Sequence, residues 1–134
     1  MENNTYVLDT IAFVYYLEDR LPARADEAFR EAEKGEATLL LPHIAIGEFV
    51  YIALKNRLKA VNSVEVVREV LHLIETAGYI EPVDMDFKAW EEFLILDIPE
   101  LHDRMLCAIA KSRGAVLITP DTEIRRKGIQ TLWE

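Results

Sequence analysis

Short, unbroken apolar runs punctuate this chain. Between them lie longer stretches in which apolar residues return every three or four positions. Runs of the first kind read as strands covered on both faces, and stretches of the second kind as helices packed over them. Thr5 to Asp9 (TYVLD) is a strand ending in an acid, and Thr10 to Leu17 follows as an apolar, aromatic helix. Pro22 opens a second helix, with Ala25, Ala28, Phe29 and Ala32 at helical spacing and Gly35 as its stop. Ala37 to Leu41 is a second strand halted by Pro42, and a helix runs from His43 to Leu58. Ser63 reads as the N-cap of the next helix, whose stripe is Val66, Val67, Val70, Leu71 and Ile74 and whose stop is Gly78. Tyr79 to Val83 is a third strand, and Pro82 within it predicts an edge position. Asp86 to Leu96 is helical. A further helix begins near Leu101, carries Asp103 in its first turn and ends at Gly114. The buried strand Ala115 to Thr119, a short helix to Lys127 and a last strand, Ile129 to Trp133, close the pattern.

Strands alternating with helices predict an α/β fold with a parallel sheet and right-handed crossovers. At 134 residues the chain reads as one domain with a single core, and its 51% hydrophobic content argues against disorder. No apolar run reaches the ~18 residues of a membrane span. The start, MENNTYVLD, lacks the basic and apolar regions of a signal peptide, so a cytoplasmic protein is expected. Cys107, the single cysteine, sits in an apolar helical pattern and reads as a buried small hydrophobe. The net charge of −9 argues against broad nonspecific binding to nucleic acid. It leaves room for a nucleic-acid enzyme whose carboxylates hold cations. The small basic groups, Lys55, Arg57 and Lys59, then Arg125, Arg126 and Lys127, read as solvated helix ends.

Ligands of open α/β sheets sit beyond the carboxyl ends of the strands. Two acids fall there: Asp9 after the first strand and Asp121 after the strand that starts at Ala115. If those strands are neighbours, the acids meet, and Asp103 lies on the same rim because its helix runs antiparallel to the strand it feeds. Glu48 is the one charge in IAIGEFVYIAL, residues 44–54, and an unpaired buried carboxylate there needs a cation, a partner or a metal. Gly47 beside it can permit close approach of another element. Each acid also has a plainer reading: Asp9 and Asp121 as helix caps, Asp103 as an answer to the helix dipole, Glu48 as half of an ion pair. Together on one rim they repel, which sites tolerate chiefly with a divalent cation between them. His43, His72 and His102 show no metal-ligand spacing, and His102 beside Asp103 reads first as a surface helix-start residue and second as a substrate contact.

Asp9-Thr10 at the first strand end, Glu48 in an apolar helix, Asp103 in HDRMLCAIA and Thr119-Pro120-Asp121 after a Gly-Ala-apolar strand resemble a PIN domain. The similarity runs over the whole chain, residues 1–134, and is closest to the toxin component of VapBC-type toxin–antitoxin pairs. The resemblance implies a three-layer α/β/α fold around a mainly parallel five-stranded sheet. It implies Mg²⁺- or Mn²⁺-dependent cleavage of RNA, homodimerisation and inhibition by a cognate antitoxin. Carried over by position, Asp9, Glu48, Asp103 and Asp121 form the catalytic and metal-binding quartet. Thr10 and Thr119 are supporting hydroxyls, and Glu123 is an extra acid near the site. Ile11 departs from the family's small polar residue, and Glu123-Ile124 from its acid-aromatic pair. The segment Phe13, Tyr15, Tyr16 and Leu17 and the stripe Val66, Val70 and Ile74 read plainly as ordinary core; the resemblance implies instead that part of them forms a homodimer face and a groove for the antitoxin.

Three other classes compete. A phosphate-accepting receiver domain requires paired acids after the first strand and a lysine after a late strand. Asp9-Thr10 and TPDTE provide neither. A haloacid-dehalogenase-type phosphatase requires an acid where Ile11 stands. A catalytically silent PIN-fold scaffold, binding protein or RNA, is the third.

Overall fold

The computed structural model describes residues 4–55 and 63–134. Five strands pair in the order β3-β2-β1-β4-β5, every pairing parallel. β1 is Asn4–Leu8, β2 Ala37–Pro42, β3 Ile80–Val83, β4 Val116–Ile118 and β5 Thr131–Leu132. The helices between them are α1 (Thr10–Leu17), α2 (Ala23–Glu33), α3 (His43–Leu54), α4 (Ser63–Thr76), α5 (Phe87–Ile95), α6 (Leu101–Ser112) and α7 (Thr122–Arg126). This is the expected PIN-like α/β/α architecture, with the sheet between helical layers.

The strand order explains where the chemistry sits. From β1 the chain builds outward through β2 to β3, then α5 and α6 carry it back across the sheet, and β4 lands on the free side of β1. The winding therefore reverses between β1 and β4. That switch point opens a crevice at the carboxyl ends of the two strands. Val7, Leu8, Leu117 and Ile118 have no exposed surface, so the ends of the two strands that lead to the rim are fully buried. The backbone N–H of Asp9 donates to the Ile118 carbonyl at 3.3 Å, which fixes the exit of β1 beside the exit of β4.

Pro82 lies in β3, an edge strand, as its missing N–H requires. α1 has the boundaries its sequence predicts. α3 ends at Leu54 with Lys55 as its cap, and the expected continuation to Leu58 lies outside the described residues, as do Arg57 and Lys59. α4 starts at Ser63 itself, so the expected cap position falls on a residue outside them.

The aromatic segment and the α4 stripe pack partly into the core, with Tyr15, Tyr16, Leu17 and Val66 half-buried. Phe13 packs edge-on to Phe49 with ring centroids 5.5 Å apart, Tyr16 stacks on Phe29 at 4.5 Å, and Val67, Val70 and Ile74 are buried. Leu71, assigned to the stripe, points outward. The most exposed of the large apolar side chains lie on α5, where Phe87, Leu94 and Ile95 are 90%, 69% and 73% exposed. One sequence expectation needs correction: Gly47 is exposed, and a Cβ built on it meets nothing within 4 Å, so no element among the described residues approaches it closely. No helix among the described residues is long and apolar enough to cross a membrane.

Candidate active site

Asp9 leaves β1 and caps α1. Its backbone is extended, and its Oδ1 accepts the Ala12 N–H at 2.7 Å, so the capping role is real. The cap does not account for its electrostatics. Burial is the largest influence on its carboxyl and, against hydrogen bonds from the Thr119 hydroxyl and the Ala12 N–H, raises its pKa to about 6, with Asp103 and Asp121 adding repulsion. A carboxylate 8% exposed beside two others is in an unfavourable place for its charge.

Asp103 stands in the first turn of α6. Burial, then the neighbouring charges of Glu100, Asp121 and Glu48, hold its pKa above the usual carboxylate range, with His102 opposing. Asp121 caps α7, its Oδ1 accepting from the Glu123 N–H at 2.9 Å and the Ile124 N–H at 3.3 Å. Thr119 ends β4 and is buried. Its hydroxyl serves both sides, donating toward Asp9 and accepting the Asp121 N–H at 3.1 Å. Three helix N-termini therefore converge on one rim, each with an acid in its first turn or cap. The N-terminal dipoles offset part of the mutual repulsion. Among the described residues no Lys or Arg lies within ion-pair distance of Asp9, Asp103 or Asp121.

Glu48 differs from its expected state. Its side chain is 31% exposed, and neither oxygen is orphaned. The Thr10 hydroxyl donates to Oε1 at 2.7 Å, and His102 Nδ1 meets Oε2 at 2.8 Å. That contact raises the His102 pKa. Glu48 therefore has partners, but they are a histidine and a threonine where the plainer expectation was an Arg or Lys. Glu123 is exposed on α7 and paired with Arg126 at 2.7 Å. Glu100 is a site neighbour that the sequence reading passed over: it caps α6, its Oε2 accepting the Asp103 N–H at 2.6 Å. Its signal is an acid three residues ahead of a first-turn residue.

Beside the acids, Ile98, Pro99 and Ile124 floor a cavity of about 170 Å³ whose rim includes Glu100, Asp103, Asp121 and Glu123. Cys107, one turn beyond Asp103, lies beneath the site. Burial and the three nearby aspartates push its thiol up to about 12, which makes it inert at neutral pH.

Among the described residues, no three His, Cys, Asp or Glu side chains already form a metal cage. The fit to a divalent cation is one of donor chemistry and charge. Carboxylate oxygens are the ligands Mg²⁺ and Mn²⁺ favour, and three of them crowd together without a basic partner.

A model of the PIN domain family matches residues 6–130. The chain belongs to the PIN domain family. No curated protein matches the sequence. Among solved structures, the chain is similar to VapBC2 from Rickettsia felis bound to a promoter DNA fragment. The TM-score is 0.75 and the identity 18%, with 97% of this chain and 99% of that one covered. DNA-bound VapBC from Salmonella typhimurium aligns with a TM-score of 0.68 at 19% identity, covering 96% of this chain and 97% of that one. VapBC-1 from nontypeable Haemophilus influenzae gives 0.69 at 18% identity, with 96% of each chain covered. At such identities the likeness establishes the fold alone.

Proposed function

We propose that this chain, acting as a single domain, is a divalent-metal-dependent endoribonuclease, the cytoplasmic toxin of a toxin–antitoxin pair. The observation that carries the reading is the convergence of Asp9, Asp103 and Asp121 where the sheet changes its winding direction, with Asp9 and Asp103 held above the normal carboxylate range. Capping alone does not call for that crowding, because three caps could sit anywhere on the rim without Asp103 and Asp121 bearing on the buried Asp9 carboxyl. The toxin assignment rests on the resemblance of the solved VapBC structures.

Asp9, Asp103 and Asp121 would hold Mg²⁺ or Mn²⁺, and Glu48 stands beside them as the fourth acid, from α3. A bound ion would supply charge neutralisation at the scissile phosphate and a lowered pKa for the attacking water. Thr119 orients Asp9 through its hydroxyl, Thr10 does the same for Glu48, and Glu100 fixes the first turn that carries Asp103. With a net charge of −9 the protein repels RNA at long range, so substrate binding depends on the ion and on local contacts. Glu123, tied to Arg126, acts at the edge of the cavity. The partners are RNA, a second copy of the chain and a cognate antitoxin. The exposed α5 face of Phe87, Leu94 and Ile95 serves the homodimer.

The test is cleavage of a mixed-sequence single-stranded RNA. Cleavage with Mn²⁺ that stops in EDTA and is lost in Asp9→Asn supports the reading. Cleavage unaffected by excess EDTA, or an inert wild type with Mn²⁺, refutes it.

A further inference from the structure

We propose that Thr10, Glu48 and His102 form a brace that sets the spacing of Asp9 and Asp103, with His102 as a positioning residue and Glu48 as the strut rather than a ligand. The inference rests on the metal-site reading and assigns a role inside it. Both partners of Glu48 are the immediate sequence neighbours of site acids. Thr10 follows Asp9 at the start of α1, and His102 precedes Asp103 in the first turn of α6. The carboxylate therefore joins two helix N-termini that have no other side-chain hydrogen bond to each other among the described residues, one oxygen to each, at 2.7 and 2.8 Å.

The chemistry of the three groups suits a brace. A glutamate side chain loses ~1.5–2 kcal/mol of rotamer freedom when fixed, so a single contact leaves it loose and two directional contacts pin it. Thr10 is buried and β-branched, so its hydroxyl is held stiffly. His102 is 38% exposed and stands 4.0 Å from Glu100, the cap of its own helix, so its ring lies between two carboxylates. With each Glu48 oxygen committed, a metal ion would have to displace one of these bonds to reach it. Asp103, by contrast, accepts no hydrogen bond among the described residues and keeps both oxygens for an ion.

Partners that orient metal ligands without touching the metal typically change affinity by about 10–100-fold when removed. The experiment is calorimetric titration of the full chain with Mn²⁺ alone, using wild type, Glu48→Ala, His102→Ala, the double variant and His102→Asn. The Asn amide nitrogen occupies the place of Nδ1 and can still donate to Glu48. A brace predicts that Glu48→Ala and His102→Ala each weaken Mn²⁺ binding about tenfold. It also predicts that the double variant is no weaker than either single one and that His102→Asn recovers most of the affinity. Coupled groups give this non-additivity, whereas independent ones add. The brace is overturned if His102→Ala binds Mn²⁺ like wild type, or if Glu48→Ala alone abolishes binding while His102→Ala is mild, which makes Glu48 a ligand. A wild type that binds no Mn²⁺ overturns the metal-site reading and the brace together.

Discussion

Replacing Asp9 with Asn should make the metal-free protein more stable, an unusual outcome for a buried residue that caps a helix. Asn caps as well as Asp, and its side-chain oxygen can still accept the Ala12 N–H, so the cap survives. What disappears is a charge in the wrong place. The Asp9 pKa rises from 3.8 to about 6, chiefly through burial. The folded state therefore holds this proton more tightly than the unfolded chain. Below the unfolded pKa both states are protonated and Asp9 imposes no charge penalty. As pH rises through the folded value that advantage is lost and the penalty becomes complete. Two units correspond to about 3 kcal/mol at pH 7.5, falling to roughly half near pH 5 and below ~1 kcal/mol at pH 4. Asp9→Asn should accordingly be about 1–3 kcal/mol more stable than wild type in EDTA at pH 7.5, a shift of about 1 M in the urea midpoint, with the difference closing toward pH 4. Urea titrations of both proteins at three pH values measure this. A variant less stable than wild type at pH 7.5, by an amount independent of pH, would refute the reasoning and make Asp9 an ordinary favourable cap.

Phe49→Ala should cost about 3–5 kcal/mol in urea unfolding, because the ring is fully buried and removes its edge contact with Phe13. Leu94→Asp should leave stability nearly unchanged while light scattering shows the mass falling from two chains to one; an unchanged dimer would exclude the α5 face. Cys107 should resist a thiol reagent at neutral pH in the native protein and react at once in denaturant, since burial and three aspartates suppress its thiolate. Rapid native labelling would show that the helix beneath the site opens.

The sequence carried the fold because its local signals agree. Apolar runs of strand length, Gly or Pro at their borders, and Asp9 and Asp86 at cap positions all point to the same elements. It also pointed to three rim acids, Asp9 and Asp121 because each follows a strand exit and Asp103 because its helix runs antiparallel to the strand it feeds. The adjacency of β1 and β4 was only a condition in that argument, because nothing local encodes the return of the chain across the sheet. The partners of Glu48 could not be named for the same reason: they lie 38 and 54 residues away, and no spacing rule links them. His102 was read as a surface helix-start residue because ligand spacing is a local pattern and its contact is not. The α4 stripe stayed open between core and docking face, since helical periodicity marks a buried face without saying whether the same chain or another buries it.

The central claim is that Asp9, Asp103 and Asp121 together hold a divalent ion, and the melting temperature with and without millimolar Mn²⁺ tests it most directly. A ligand that binds only the native state stabilises by RT ln(1 + [L]/Kd), about 2.7 kcal/mol at a hundredfold excess over Kd. The account predicts a clear upward shift in wild type and a much smaller one in Asp9→Asn, Asp103→Asn and Asp121→Asn. Equal shifts in all four proteins, or none in wild type, would contradict it.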